Sequence, residues 1–228
     1  MRHAFSSLGA LIAMATALVS MPVAAGSYLA LGDSYTIGEA VAAEARWPVL
    51  LAEQLRADGI VLEGPEIIAR TGWTTDELSA AIDAAAPAGE RALVTLLIGV
   101  NNQYRGRSAE QYRGEFAALL GRAIGFAHGV AGRVVVLSIP DWGATPFAAA
   151  SGRDPRRIAS EIDAFNAVAR AECERRSVAF VDITPISRAP DPEAKLIAGD
   201  GLHPSAAQYR LWVERALPVV RARLTEHR

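Results

Sequence analysis

Ser34 stands directly after an apolar run and an acid, in Tyr28-Leu-Ala-Leu-Gly-Asp-Ser34. A serine hydroxyl in that place can cap a helix, touch a phosphate or act as a nucleophile. The last role needs a base to take its proton. The chain has four histidines. His3 sits in an N-terminal leader, His227 in the C-terminal tail, and His128 just before the fourth apolar run. His203 follows the last such run, in Gly199-Asp-Gly-Leu-His-Pro204, with Asp200 three residues before it. An aspartate so close can fix the tautomer of the imidazole and stabilise its cation. Acyl transfer further requires donors aimed at an oxyanion. Gly72 offers an unobstructed backbone N–H, Asn101 a side-chain amide, and Ser34 its own N–H. Asp33 reads as a turn former that bonds its own backbone.

These residues meet only if the fold sets them on one edge. Apolar runs at Tyr28–Leu31, Glu66–Ala69, Ala92–Ile98, Arg133–Ser138 and Val178–Val181 read as strands. Helical stretches alternate with them, at about Trp47–Ala57, Asp76–Ala86, Ala109–Ala127, Arg156–Arg176 and Ser205–Leu224. Thr74 with Glu77, and Ser108 with Gln111, fit capping boxes, and Asp154-Pro155 fits a cap followed by a first-turn proline. Pro218 should kink or split the last helix. Pro140 to Arg153 reads as a long irregular loop. Strand–helix alternation with apolar strands implies a parallel sheet covered on both faces. Ligands of such sheets bind beyond the carboxyl ends of the strands. Every candidate residue falls at that edge, whereas His128 falls at the opposite one.

The ordered set G-D-S, a glycine after the second strand, G-x-N-N after the third, and D-x-x-H-P near the C-terminus resembles the SGNH hydrolases, also called GDSL esterases and lipases. The resemblance spans nearly the whole chain after the leader. It implies a three-layer α/β/α fold like that of flavodoxin. It also implies a catalytic triad of Ser34, His203 and Asp200, with an oxyanion hole of Ser34, Gly72 and Asn101. Many members carry Asp where this chain has Asn102, and its side chain is expected to point away from the site. The R-T-G-W-T stretch lacks the Asn often found shortly before the glycine.

Composition narrows the rest. The chain has 228 residues, 51% of them hydrophobic, enough for one well-buried domain. Residues 1–25 have the layout of a secretory signal peptide: a basic start, a short apolar run and Val23-Ala24-Ala25 at the cleavage position. The expectation is therefore an exported protein, periplasmic or secreted, with a single domain over residues 26–228. Cleavage removes only Arg2 from the charged set, leaving 22 basic residues against 25 acidic and a net charge of −3. That balance argues against nucleic acid and anionic membranes as partners. The lone Cys173 forms no internal disulfide and reads as an inert helical thiol. No metal-ligand spacing occurs, so neither metal nor cofactor is expected.

Two rival folds lack their motifs: there is no G-x-G-x-x-G or P-loop, and no G-x-S-x-G elbow. The expected substrates are esters: a lipid-type acyl ester, a lysophospholipid or a short-chain ester. A carbohydrate O-acetylester or a thioester would suit the same site. A non-catalytic exported binding protein is the alternative of a different class. Trp73, Tyr104, Trp142 and Phe147 could line an acyl or sugar pocket or belong to the core. Arg105 and Arg107 could meet an anionic head group or form a solvated face.

Overall fold

The computed structural model describes residues 26–189, 191 and 195–226. The leader assigned to residues 1–25, His3 and His227 lie outside the described residues. In chain order the elements are β1 (Ser27–Gly32), α1 (Ser34–Ile37), α2 (Trp47–Ala57), β2 (Glu66–Ala69), α3 (Thr75–Ala85), β3 (Arg91–Leu97), α4 (Val100–Tyr104) and α5 (Ala109–Phe126). Then follow β4 (Val134–Leu137), α6 (Pro146–Ser151), α7 (Pro155–Arg175), β5 (Ala179–Val181), α8 (Thr184–Ser187) and α9 (Ala206–Glu226).

The strands form one parallel sheet in the order β2-β1-β3-β4-β5. Its three inner strands are apolar on both faces because helices cover both. Leu29 to Leu31, Leu93, Val94 and Val134 to Leu137 are all buried. Helix α2 packs on α9, and α5 packs on both α3 and α7. Right-handed crossovers to either side of β1 place these two groups on opposite faces, which makes the fold the expected three-layer α/β/α. Helix α7 shows how sequence spacing builds a layer. Ile158, Ile162, Phe165, Ala169 and Cys173 recur at helical intervals and are buried. Burial pushes the Cys173 thiol up to about 12, so it stays protonated at neutral pH.

The strand order reverses direction between β1 and β3. That is the switch point at which open α/β sheets leave a crevice beyond the strand ends. Gly99 makes the turn there possible. Its φ of +127° belongs to glycine, and an added Cβ would stand 2.7 Å from the Tyr112 ring.

Two expectations need correction. Pro218 does not split helix α9, which continues through it from Ala206 to Glu226. The proline is exposed, so the carbonyl one turn back that loses its N–H partner faces solvent, while Ala216 and Val220 stay buried. The stretch Pro140–Arg153 is not irregular throughout. It holds a 3-10 turn at Trp142–Ala144 and then α6, whose Thr145 Oγ1 accepts the N–H of Ala148.

Candidate active site

Strand β1 ends at Gly32, and Asp33 caps the short helix that follows. One carboxylate oxygen of Asp33 accepts the Tyr35 N–H at 3.0 Å, and its carbonyl accepts from Thr36 and Ile37. This turn-forming role was expected. The first-turn N–H groups of a helix have no partner within it. Among the described residues no hydrogen bond takes the N–H of Ser34, so the cap leaves that donor available beside the Ser34 hydroxyl. Asp33 itself is fully buried, and its other oxygen has no partner there. Burial raises its pKa to about 7, against the pull of the Tyr35 and Asp33 backbone N–H groups.

His203 is held by a tight local turn. Asp200 Oδ1 accepts the backbone N–H groups of Leu202 and His203, at 2.9 and 3.0 Å. Asp200 Oδ2 lies 2.6 Å from His203 Nδ1. A carboxylate only accepts, so Nδ1 carries the proton and Nε2 is left unprotonated. Partial burial works to raise the Asp200 pKa, but the bonds from His203 and the two N–H groups outweigh it. The carboxyl stays below its ordinary range. The Tyr35 ring packs edge-on to the imidazole, centroids 5.9 Å apart. His128, by contrast, is exposed in the turn that precedes β4, at the far edge of the sheet.

Asn101 lies in the first turn of α4, beyond β3. Its Nδ2 donates to the Trp73 carbonyl at 2.9 Å. A primary amide has two N–H bonds, which leaves the second for the cavity that Asn101 lines. Gly72 sits in the turn after β2 with φ +87°. Its carbonyl is drawn 2.7 Å from Arg105 Nη2, and among the described residues no hydrogen bond takes its N–H. Arg105 also reaches Glu77 at 3.2 Å, so it serves the Gly72 turn. Arg107 pairs with Asp76 and Glu115.

Asn102 points away from the site, as expected. It is fully buried, accepts the Thr75 N–H at 3.1 Å, and donates to Thr75 Oγ1 at 2.6 Å and Glu115 at 3.1 Å. It therefore ties α4 to the start of α3, next to the Gly72 turn. Neither this tie nor those of Trp73 and Arg105 had a sequence signal, because each joins residues about 27 to 33 positions apart.

The pieces share one cavity of about 200 Å³. Its lining combines the polar groups of Ser34, Thr71, Gly72, Asn101 and His203 with the apolar surfaces of Val100, Tyr104, Trp142, Phe147 and Leu202. No hydrogen bond joins Ser34 to His203 among the described residues, and such contacts are commonly long before substrate binds. Trp73 is absent from this cavity and packs half-buried against the core. The arrangement supplies a hydroxyl, a carboxylate-held imidazole and three N–H donors around one small space.

The model of the GDSL-like Lipase/Acylhydrolase family matches residues 30–211, a span that includes every one of these groups. The chain belongs to that family. Curated protein sequences gave no match. Solved structures of the same fold do match this GDSL-family chain. One titled TesA aligns with a TM-score of 0.68 at 20% identity, over 86% of this chain and 99% of that one. The psychrotrophic esterase EstA from Pseudoalteromonas sp., inhibited by monoethylphosphonate, aligns at 0.66 and 17% identity, over 88% and 99%. Axe2, an acetylxylan esterase from Geobacillus stearothermophilus, aligns at 0.65 and 17%, over 88% and 96%. At such identities the likeness establishes the α/β/α fold, while the family match marks the chain as an ester hydrolase.

Proposed function

We propose that this protein is an exported serine esterase that cleaves carboxylic acyl esters through Ser34, His203 and Asp200. The observation that carries the reading is the 2.6 Å contact of Asp200 with His203 Nδ1, in a loop whose imidazole lines the same cavity as Ser34, Gly72 and Asn101. Ser34 Oγ attacks the ester carbonyl carbon as His203 Nε2 takes its proton. The carbonyl π-pair becomes an oxyanion, held by the N–H groups of Ser34 and Gly72 and the free N–H of Asn101. Collapse breaks the bond to the alcohol oxygen, which leaves with the proton from His203. Water then attacks the acyl-Ser34 ester, gives its proton to His203, and the same donors hold the second oxyanion. The carboxylic acid departs as Ser34 regains its proton. Export rests on the leader pattern of residues 1–25.

One experiment tests both parts. Exported protein is treated with a fluorophosphonate, and its intact mass is measured. The expected product is a chain beginning at Gly26 with one phosphonyl group on Ser34, and none on Ser34→Ala. Absence of labelling, or labelling of Ser34→Ala, contradicts the serine mechanism and favours a binding protein. A labelled chain that still begins at Met1 contradicts only the export reading.

A further inference from the structure

Beside the catalytic cavity lies a second, larger one of about 450 Å³, walled by α4, α7 and the segment that joins α6 to α7. Tyr104 lines both cavities. Its ring stands in a fixed stack. Trp142 meets it edge-on with centroids 5.3 Å apart, and Phe147 lies at 6.4 Å. From the second cavity Arg153 lays its guanidinium over the Tyr104 ring, 4.5 Å from the centroid, and over Trp142 at 5.6 Å. Arg153 Nη2 also donates to the Tyr104 carbonyl at 2.9 Å. Trp142 cannot swing clear, because its Nε1 donates to Gln103 Oε1 at 2.8 Å, and Gln103 donates onward to Glu161 at 2.7 Å.

The orientation of a substrate follows from the walls. The oxyanion donors and His203 take the polar end of an ester, so the hydrocarbon of the acyl group is left to the apolar part of the lining. There it meets the Tyr104–Trp142 wall. The catalytic cavity alone falls below the ~300–1,000 Å³ typical of pockets for drug-sized ligands. Joined to its neighbour it would lie within that range. Tyr104 is itself 40% exposed, so it is the part of the wall least held by the core.

We infer that Tyr104, latched by Arg153, is an acyl-length partition that restricts this enzyme to short acyl groups, and that the second cavity is where a longer chain would run once the partition is removed. The inference rests on the serine-esterase reading above. Both residues set specificity without touching the reacting atoms.

The test compares p-nitrophenyl acetate, butyrate and octanoate as substrates of the wild type, Tyr104→Ala, Tyr104→Phe and Arg153→Ala, each checked for folding by circular dichroism. The wild type should prefer acetate or butyrate. Tyr104→Ala should raise the octanoate-to-butyrate ratio of kcat/KM by about tenfold or more, since a single methylene at a pocket wall commonly decides that much. Arg153→Ala should move the ratio in the same direction. Tyr104→Phe keeps the ring and should keep the wild-type ratio. A wild type that already favours octanoate, or an unchanged ratio in the two alanine variants, overturns the partition. So does a Tyr104→Phe variant that behaves like Tyr104→Ala. A folded wild type that hydrolyses none of the three esters overturns the esterase reading itself, and the partition with it.

Discussion

The sheet edge that carries Ser34, Gly72 and Asn101 and the loop that carries Asp200 and His203 treat their acids in opposite ways. Asp33, at the sheet edge, is sealed from solvent with one oxygen unpartnered, and burial raises it to about 7. Asp200, in the loop, is partly exposed, and its hydrogen bonds hold it ionised against its own desolvation. The mounting differs as well. The sheet edge is braced by neighbours: Asn101 Nδ2 donates to the Trp73 carbonyl, Arg105 donates to the Gly72 carbonyl, and Asn102 ties α3 to α4. The loop is held mainly by its own turn, by Phe147 N–H to the Gly201 carbonyl at 2.9 Å, and by Ala198 N–H to the His203 carbonyl at 2.7 Å. The difference matches the two tasks proposed for them. Donors that stabilise a developing charge must be fixed beforehand. A base has to keep its charge partner ionised while it passes a proton between three oxygens.

The comparison breaks most visibly in the loop. His203→Ala should lower kcat by about 10⁶-fold, the scale seen when such a base is lost. Asp200→Asn should cost less, about 10⁴-fold, by letting the ring adopt the wrong tautomer. Steady-state hydrolysis of a short ester decides this. An Asp200→Asn enzyme within tenfold of wild type would mean that the 2.6 Å contact does not set the tautomer. On the sheet edge, Asn101→Ala should depress kcat by about 100- to 1,000-fold with KM nearly constant, because its donor meets full charge only in the tetrahedral state. A change confined to KM would place the amide on the ground-state substrate instead. Asn102→Ala separates donor from support. It should cost about 1–3 kcal/mol of unfolding free energy by orphaning Thr75 N–H and loosening Glu115. Its effect on kcat should be smaller than that of Asn101→Ala.

The smallest effect sharpens the contrast between the two acids. Between ~4 and about 7, folded Asp33 holds a proton that the unfolded chain has released. Its contribution to stability therefore falls as pH rises through that window and is level above it. Asp33→Asn keeps an oxygen for the Tyr35 N–H and should remove this part of the slope. Urea unfolding at about pH 5 and about pH 8 measures it. A variant whose stability difference from wild type is the same at both values would show that Asp33 is ionised in the fold.

The strands were legible within a residue or two, because runs such as Val134 to Leu137 are apolar on both faces and bounded by turn residues. Helix α2 was legible end to end from its apolar spacing. Helices α1, α4, α6 and α8 were not: at four to six residues none completes two turns, so no periodicity can declare it. Thr145-Pro146 starts α6 with the same cap-then-proline signal as Asp154-Pro155, and so was readable in principle. The candidate site residues were legible as types set in order at strand ends. What fixes them was not. The Trp73 carbonyl under Asn101, Arg105 on Gly72 and Gln103 on Trp142 depend on side chains and carbonyls that meet only after the sheet forms.

Helix α9 begins three residues after His203 and packs on α2, the first long helix after the serine turn. Synthesis of the chain therefore delivers the two halves of the site at opposite ends of its timetable. Ser34 and its donors emerge first, with β1 to β3, and chains fold progressively as they emerge. Asp200 and His203 come last, just ahead of the α9 segment that packs on α2. The proposed enzyme thus draws its base from the final stretch of its chain, and a nascent chain that lacks this stretch carries a serine with nothing to activate it.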